Sequence, residues 1–266
     1  MTTSMFCLSR LARRTLREIP ANSLHGRHGE SAQSPTGPTG TTQLLRPEEV
    51  LSEENRKSFL ERFQRYRTPK SLRSDVNQAG VLVPLCLCND EIGILYTLRS
   101  LKLSVNRGQV SFPGGMYDKS DRNLVDTALR ETWEELKIPK DTIEIWTSGN
   151  LIGKKNVNVM PIIGYIGLVE PSKLQLNPDE VEEAFVVSLT KLCDLSQCRF
   201  TQFRDGYSLP VYLAGKHRIW GFTAAITHMV LNSLLPGYYK HKLEHVNSIL
   251  PKSHRKGDDA VVQQHF

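Results

Sequence analysis

Apolar positions along the chain fall into runs of different period. From Pro47 to about Arg67, PEEVLSEENRKSFLERFQRYR places Val50, Leu51, Phe59, Leu60 and Phe63 at helical spacing behind a proline suited to a first turn. Ala79–Cys88 is continuously apolar, as in a buried strand. Asn89-Asp90 then marks a turn and Ile92–Leu98 a second strand, so the pair reads as a hairpin. A loop of basic and small residues leads to Phe112-Pro113-Gly114-Gly115, and a polar loop follows to about Asn123. Leu124–Leu136 returns to helical period, limited by Pro139. Ile143–Trp146, Leu151–Ile152, Val159–Val169 and Ser208–Leu213 read as further strands, and Trp220–Leu235 as a helix stopped by Pro236-Gly237. The acidic segment opened by Asn177-Pro178-Asp179, DEVEEAFVVSL, reads as a loop or amphipathic stretch with a wet face. Strands with interspersed helices predict an α/β sandwich, helices covering both faces of a mixed sheet.

The ends are of another composition. Residues 1–29 carry Arg10, Arg13, Arg14, Arg17 and Arg27 against the single acid Glu18, with Phe6, Leu8, Leu11 and Leu16 interleaved. An Arg-rich, acid-poor amphipathic start is the pattern of a mitochondrial presequence. Residues 30–42, ESAQSPTGPTGTT, have no apolar set to bury and read as a linker. The organisation expected is therefore presequence and linker (1–42), helical extension (43–70), one main folded domain (71–240) and a tail (241–266). The length of 266 residues suits one domain with added segments. No apolar stretch reaches the roughly 18 residues of a membrane span. The five cysteines, Cys7, Cys86, Cys88, Cys193 and Cys198, lack the spacing of a zinc site and read as thiols. A net charge of +6 suits a polyanionic small molecule, and without a long Lys/Arg run in the folded part nucleic acid is not an expected partner.

The helix LVDTALRETWEEL carries the chemistry. At about 100° per residue, with Glu131 at zero, Glu134 falls at roughly −60° and Glu135 at roughly +40°. Three carboxylates thus share one face, with Val125, Leu129, Thr132 and Leu136 opposite. Like charges so placed repel on an isolated helix. A hard divalent cation with oxygen ligands reverses that balance and leaves positions for water and phosphate. Arg130 is placed to pair with one of these carboxylates, and Gly114-Gly115 let backbone approach a phosphate or metal closely.

Gly115 followed by Arg130-Glu131-Thr132-Trp133-Glu134-Glu135-Leu136-Lys137-Ile138 resembles the box of the Nudix hydrolase family, G-x5-E-x7-R-E-U-x-E-E-x-G-U with U a bulky aliphatic. Asp121 stands where that motif has Glu, and the stretch from it to Arg130 is one residue longer. Lys137 replaces the terminal Gly, and Thr132 an aliphatic. Leu95–Ser100, Gly108 and Phe112–Gly115 resemble the signature of the coenzyme A diphosphatase branch, L-L-(T/S)-x-R-(S/T)-x3-R-x3-G-x3-F-P-G-G. Ser104 stands at its middle arginine, with Arg107 three residues later. Thr127–Thr132, Asn177–Glu183 and His217–Ala224 extend the likeness.

The resemblance implies a Nudix-type α/β/α sandwich with a mixed β-sheet. It also implies Mg²⁺- or Mn²⁺-dependent hydrolysis of coenzyme A and acyl-CoA to 3′,5′-ADP and (acyl-)4′-phosphopantetheine. Glu131 and Glu135 would be metal ligands and Glu134 a third ligand or the base. Arg130 would hold the helix, and Arg99, Arg107, Gly114 and Gly115 would meet substrate. Glu180 and Glu183 are candidates for a base supplied by the later loop. Two other readings fit the motif: hydrolysis of another nucleoside diphosphate derivative or capped RNA, and a non-catalytic binding module, which the retained carboxylates disfavour.

Overall fold

The computed structural model describes residues 45–66, 75–154, 156–202 and 208–241. The expected presequence and linker lie outside the described residues, as does the tail beyond His241.

The sheet is built around β1 (Asn77–Cys88). One edge of β1 takes β7 (Val157–Leu168) in parallel, from Asn77 opposite Val157 to Leu85 opposite Tyr165. β5 (Glu144–Ser148) and β6 (Ile152–Lys154) pair antiparallel with β7 beyond it. The other edge of β1 forms the expected hairpin with β2 (Glu91–Arg99), Leu85 to Cys88 facing Ile94 to Glu91. Asn89 and Asp90 both take positive φ in its tight turn, a conformation these two residue types tolerate.

Beyond this hairpin β1 and β2 part company. The second half of β2 pairs through Thr97 and Leu98 with β3 (Val110–Ser111), whereas the first half of β1 pairs through Ala79–Val81 with β4 (Gly114–Met116). The glycine turn is thereby wedged into the fork of two diverging strands. The outer edge of β2 carries β8 (Val181–Ser188), Gly93 to Arg99 running opposite Ser188 to Val181. The acidic segment expected as loop or wet amphipathic stretch is therefore largely a strand. Val181, Ala184, Phe185 and Val187 are buried while Glu182 stays exposed.

Alternation along the strands supplies two apolar faces. Leu82, Cys86, Leu95, Ile162 and Ile166 pack under α3 (Leu124–Leu136). Val83, Leu85, Ile94, Tyr96 and Ile163 pack with residues of α2 (Glu53–Phe63) and α5 (Gly221–Leu234). Coverage of both faces explains why the strands read as unbroken apolar runs. The helical stretch after Pro47 is split into α1 (Pro47–Val50) and α2, with Ser52 capping the second by accepting from Asn55 N–H. Phe59 and Phe63 of α2 are fully buried and stack at 5.3 Å between centroids. Burying each ring stabilises the fold by about 1.5–3 kcal/mol, so this helix belongs to the core. A short α4 (Leu189–Cys193) and a ribbon of β9 (Cys198–Gln202) and β10 (Ser208–Tyr212) lead into α5. Cys86, Cys88, Cys193 and Cys198 are free thiols. No helix among the described residues is long and apolar enough to cross a membrane.

Candidate metal and catalytic site

Helix α3 is fixed at both ends. The Asn123 side chain accepts from the backbone N–H groups of Val125 and Asp126, satisfying donors that the first turn leaves free. At the other end Lys137 closes the helix in the left-handed conformation (φ 56°), where the box has Gly. Its ammonium lies 4.0 Å from the Trp133 ring centroid, a cation–π contact that offsets part of the strain. The helix presses so closely on β1 that a side chain at Gly80 would overlap the carbonyl of Leu124. Gly80 therefore sets the height of α3 above the sheet.

The carboxylates that converge are Glu131, Glu135 and Glu180, each offering an oxygen within 4.8 Å of the others. Glu134 lies outside that triangle. It is 41% exposed, with Oε2 accepting from Arg130 Nη1 at 3.1 Å. The third corner comes instead from the turn before β8, where Asn177 N–H donates to Glu135 O and Ser100 N–H donates to Glu180 O, both at 2.9 Å. These two bonds tie the turn to the end of α3 and to the end of β2.

Glu135 is buried and accepts from the backbone N–H of Gly114, while its Oε2 has no hydrogen-bond partner. Burial pushes its carboxyl up to about 8, opposed by the nearby Arg99 charge and assisted by Glu131 and Glu180. Burial likewise raises Glu131, against the pull of Arg130. An orphaned buried oxygen, three converging acids and an all-oxygen donor set are the environment a hard divalent ion would satisfy. The residues fit such an ion. Gly114 (φ 148°) has a backbone that favours glycine, and a β-carbon there would overlap Gly80 O. A β-carbon on Gly115 would overlap the Glu131 carboxylate.

Arg130 organises the acids. Its Nε and Nη2 donate to the two oxygens of Asp121 at 2.9 and 3.0 Å, Nη1 to Glu131 at 2.9 Å, and Nη2 also to Met116 O. Asp121 is buried and further accepts from Thr127 Oγ1 at 2.8 Å and Asp118 N–H at 3.1 Å. Hydrogen bonding to Arg130 holds its carboxyl well below the usual range. The residue that departs from the box is thus the partner that locks Arg130 in place, a bidentate geometry suited to guanidinium.

The remaining sequence candidates divide. Arg99 acts electrostatically on Glu135 and keeps a buried Nε with no hydrogen-bond partner. Arg107 is exposed on the loop between β2 and β3, and Lys102 of that loop is paired with Asp179 at 2.8 Å. Glu183 binds Lys216 Nζ (2.8 Å) and His217 Nε2 (2.9 Å) through one oxygen, which lowers its pKa, and it takes no part in the triangle. Sequence reasoning missed Gly80, for which an isolated Gly in a strand was the only available signal. Two surface hollows, one lined by Trp133, Pro139, Lys140 and Asp141 and one that includes Lys137 and Leu168, contain no site carboxylate.

Residues 76–206 match the NUDIX domain. The chain is 40% identical over 185 residues to the mitochondrial coenzyme A diphosphatase NUDT8 of Mus musculus, covering 66% of this chain and 87% of that protein. It is 40% identical over 178 residues to that of Homo sapiens, covering 65% and 75%. An Enterococcus faecalis MutT/nudix family protein of known structure is 20% identical, covers 65% of this chain and 66% of its own, and superimposes with a TM-score of 0.41.

Proposed function

The chain belongs to the Nudix hydrolase family, and on that premise we propose that it hydrolyses the diphosphate of coenzyme A, and of acyl-CoA, to 3′,5′-ADP and (acyl-)4′-phosphopantetheine. The observation that carries this reading is the convergence of Glu131, Glu135 and Glu180 beside Gly114-Gly115, in a chain 40% identical to mitochondrial coenzyme A diphosphatases.

Glu131, Glu135 and Glu180 would hold Mg²⁺ or Mn²⁺. The ion, when bound, supplies charge neutralisation for the diphosphate oxygens and acidifies a coordinated water. Gly114 contributes its N–H to Glu135, fixing one carboxylate orientation, and Arg130 fixes Glu131. The residue best placed to orient attacking water or take its proton is Glu134, half-exposed at the edge of the triangle and held by Arg130. Arg99, with its unpaired Nε, meets a diphosphate oxygen and offsets charge as the bond to phosphorus forms. Arg107 offers a second cation from the loop above. Glu183 is engaged by Lys216 and His217 and stays outside the proton transfers. The Arg-rich leader and the mitochondrial relatives support a mitochondrial location.

Incubation of the leader-free protein with coenzyme A and Mg²⁺, followed by mass analysis, is expected to yield 3′,5′-ADP and 4′-phosphopantetheine, and Glu135→Gln to abolish both. Cleavage of another nucleoside diphosphate derivative with coenzyme A left intact would overturn the substrate assignment.

A further inference from the structure

His217–Ala224 has no part in the carboxylate triangle, yet it is fastened to β8, which follows Glu180, and to β3, which leads into the glycine turn. His217 Nε2 lies 2.9 Å from Glu183 Oε2, and its ring packs 5.1 Å from that of Phe185, so its anchor strand is the one that begins just after Glu180. Thr223 Oγ1 donates to Val110 O at 2.9 Å, and Val110 leads within a few residues into the glycine turn. Between these anchors the fully buried Ile219 exchanges two backbone hydrogen bonds with Tyr212, at 2.8 and 3.0 Å. The segment is therefore held by β8 at one end, by β3 at the other and by Tyr212 between them.

Of its other large side chains Phe222 packs against the core, while Trp220 and Arg218 reach solvent. Trp220 is partly exposed, and the exposed Arg218 places its guanidinium 5.3 Å from the indole centroid. Among the described residues no carboxylate pairs with Arg218, whereas the neighbouring Lys216 is already bound to Glu183. A flat aromatic surface beside a planar cation that no described carboxylate engages suits a purine carrying phosphate. Stacking uses the ring faces of base and guanidinium, and the cation attracts the anion.

We propose that Trp220 and Arg218 form the platform for the purine-nucleotide half of the substrate, with Trp220 stacking the base and Arg218 facing its ribose phosphate. The proposal rests on the coenzyme A reading for the identity of that half, 3′,5′-ADP. Its placement divides the labour of binding: carboxylates, Arg99 and the glycine turn for the diphosphate, the His217–Thr223 segment for the nucleotide.

Calorimetric titration of the full chain with 3′,5′-ADP, and separately with 4′-phosphopantetheine, tests this. Trp220→Ala is expected to weaken 3′,5′-ADP by about tenfold or more, the scale of one stacked base, and to leave 4′-phosphopantetheine unchanged. Trp220→Phe should recover most of the loss, and Arg218→Ala, at an exposed position that does not endanger folding, should weaken the nucleotide alone. In turnover the same variants raise KM while kcat stays within about twofold, since the platform touches no reacting atom. Unaltered nucleotide affinity in Trp220→Ala and Arg218→Ala, or equal loss of both halves, would overturn the platform even if coenzyme A is cleaved. A wild-type chain that leaves coenzyme A intact, yet loses 3′,5′-ADP binding in Trp220→Ala, would retire the substrate and keep the platform.

Discussion

Gly115 lies against the carboxylate of Glu131 with no room for a β-carbon between them. The glycine turn and α3 are thus in contact at the face that carries the converging carboxylates. Gly115→Ala is expected to push Glu131 aside and to lower kcat/KM for coenzyme A by about a hundredfold, the scale of a misplacement near 1 Å. Thermal melting should change little, because the displaced group is a side chain at the surface of the site. Activity within a few-fold of wild type would separate this contact from function.

The triangle distinguishes Glu180 from Glu134. Glu180→Gln is expected to raise the Mg²⁺ concentration for half-maximal activity by at least about tenfold, a scale at which even outer-shell changes act. Glu134→Gln should lower kcat and leave the metal requirement nearly in place. Metal titrations of the two variants, run side by side, check this. The reverse pattern would exchange their roles.

Asp121 accepts two hydrogen bonds from Arg130 and one each from Thr127 and Asp118. Removing its charge leaves a largely buried guanidinium short of a partner, so Asp121→Asn should cost about 3 kcal/mol of stability, measured by denaturant unfolding. The pH dependence has a definite sign. Its folded pKa is depressed, so the contribution is present above the ordinary carboxylate range and is lost as pH falls through that range toward the folded value. The wild type should therefore lose more stability on acidification than Asp121→Asn.

Lys137 closes α3 with positive φ, and its ammonium lies over Trp133. Lys137→Ala keeps the strained backbone and loses the ring contact, so it should be less stable by about 0.5–1 kcal/mol. Lys137→Gly loses the same contact but relieves strain of about 1 kcal/mol, and should unfold within about 0.5 kcal/mol of wild type on that balance. Equal denaturation midpoints for Ala and Gly variants would show that the backbone strain is negligible.

Helix α3 was legible in the sequence because its period and its limiting proline are both local. Glu131 and Glu135 followed from that period. The hairpin was equally plain from Asn89-Asp90. Glu180 was legible only as a loop acid, since its place at the triangle depends on hydrogen bonds from Asn177 to Glu135 and from Ser100 to Glu180, between positions far apart in the chain. β3 and β4 have two and three residues, too few for any period to show. β8 was misread because Glu182 and Glu183 sit side by side at its start and mask the apolar alternation after them. The buried role of α2 could not be read either, because Phe59 and Phe63 mark an apolar face without saying what covers it.

The pairing of β1 with β7 joins Asn77 to Val157, eighty positions along the chain, and β8 closes the outer side of β2 later still. A polypeptide emerging from the ribosome would thus display the bare Gly93–Arg99 backbone as a template for stray strands until Val181–Ser188 arrives. Glu180 immediately precedes that strand, so the ordering event that shields the growing chain from aggregation also delivers the last acid. Premature termination before it would leave a sticky and inactive fragment.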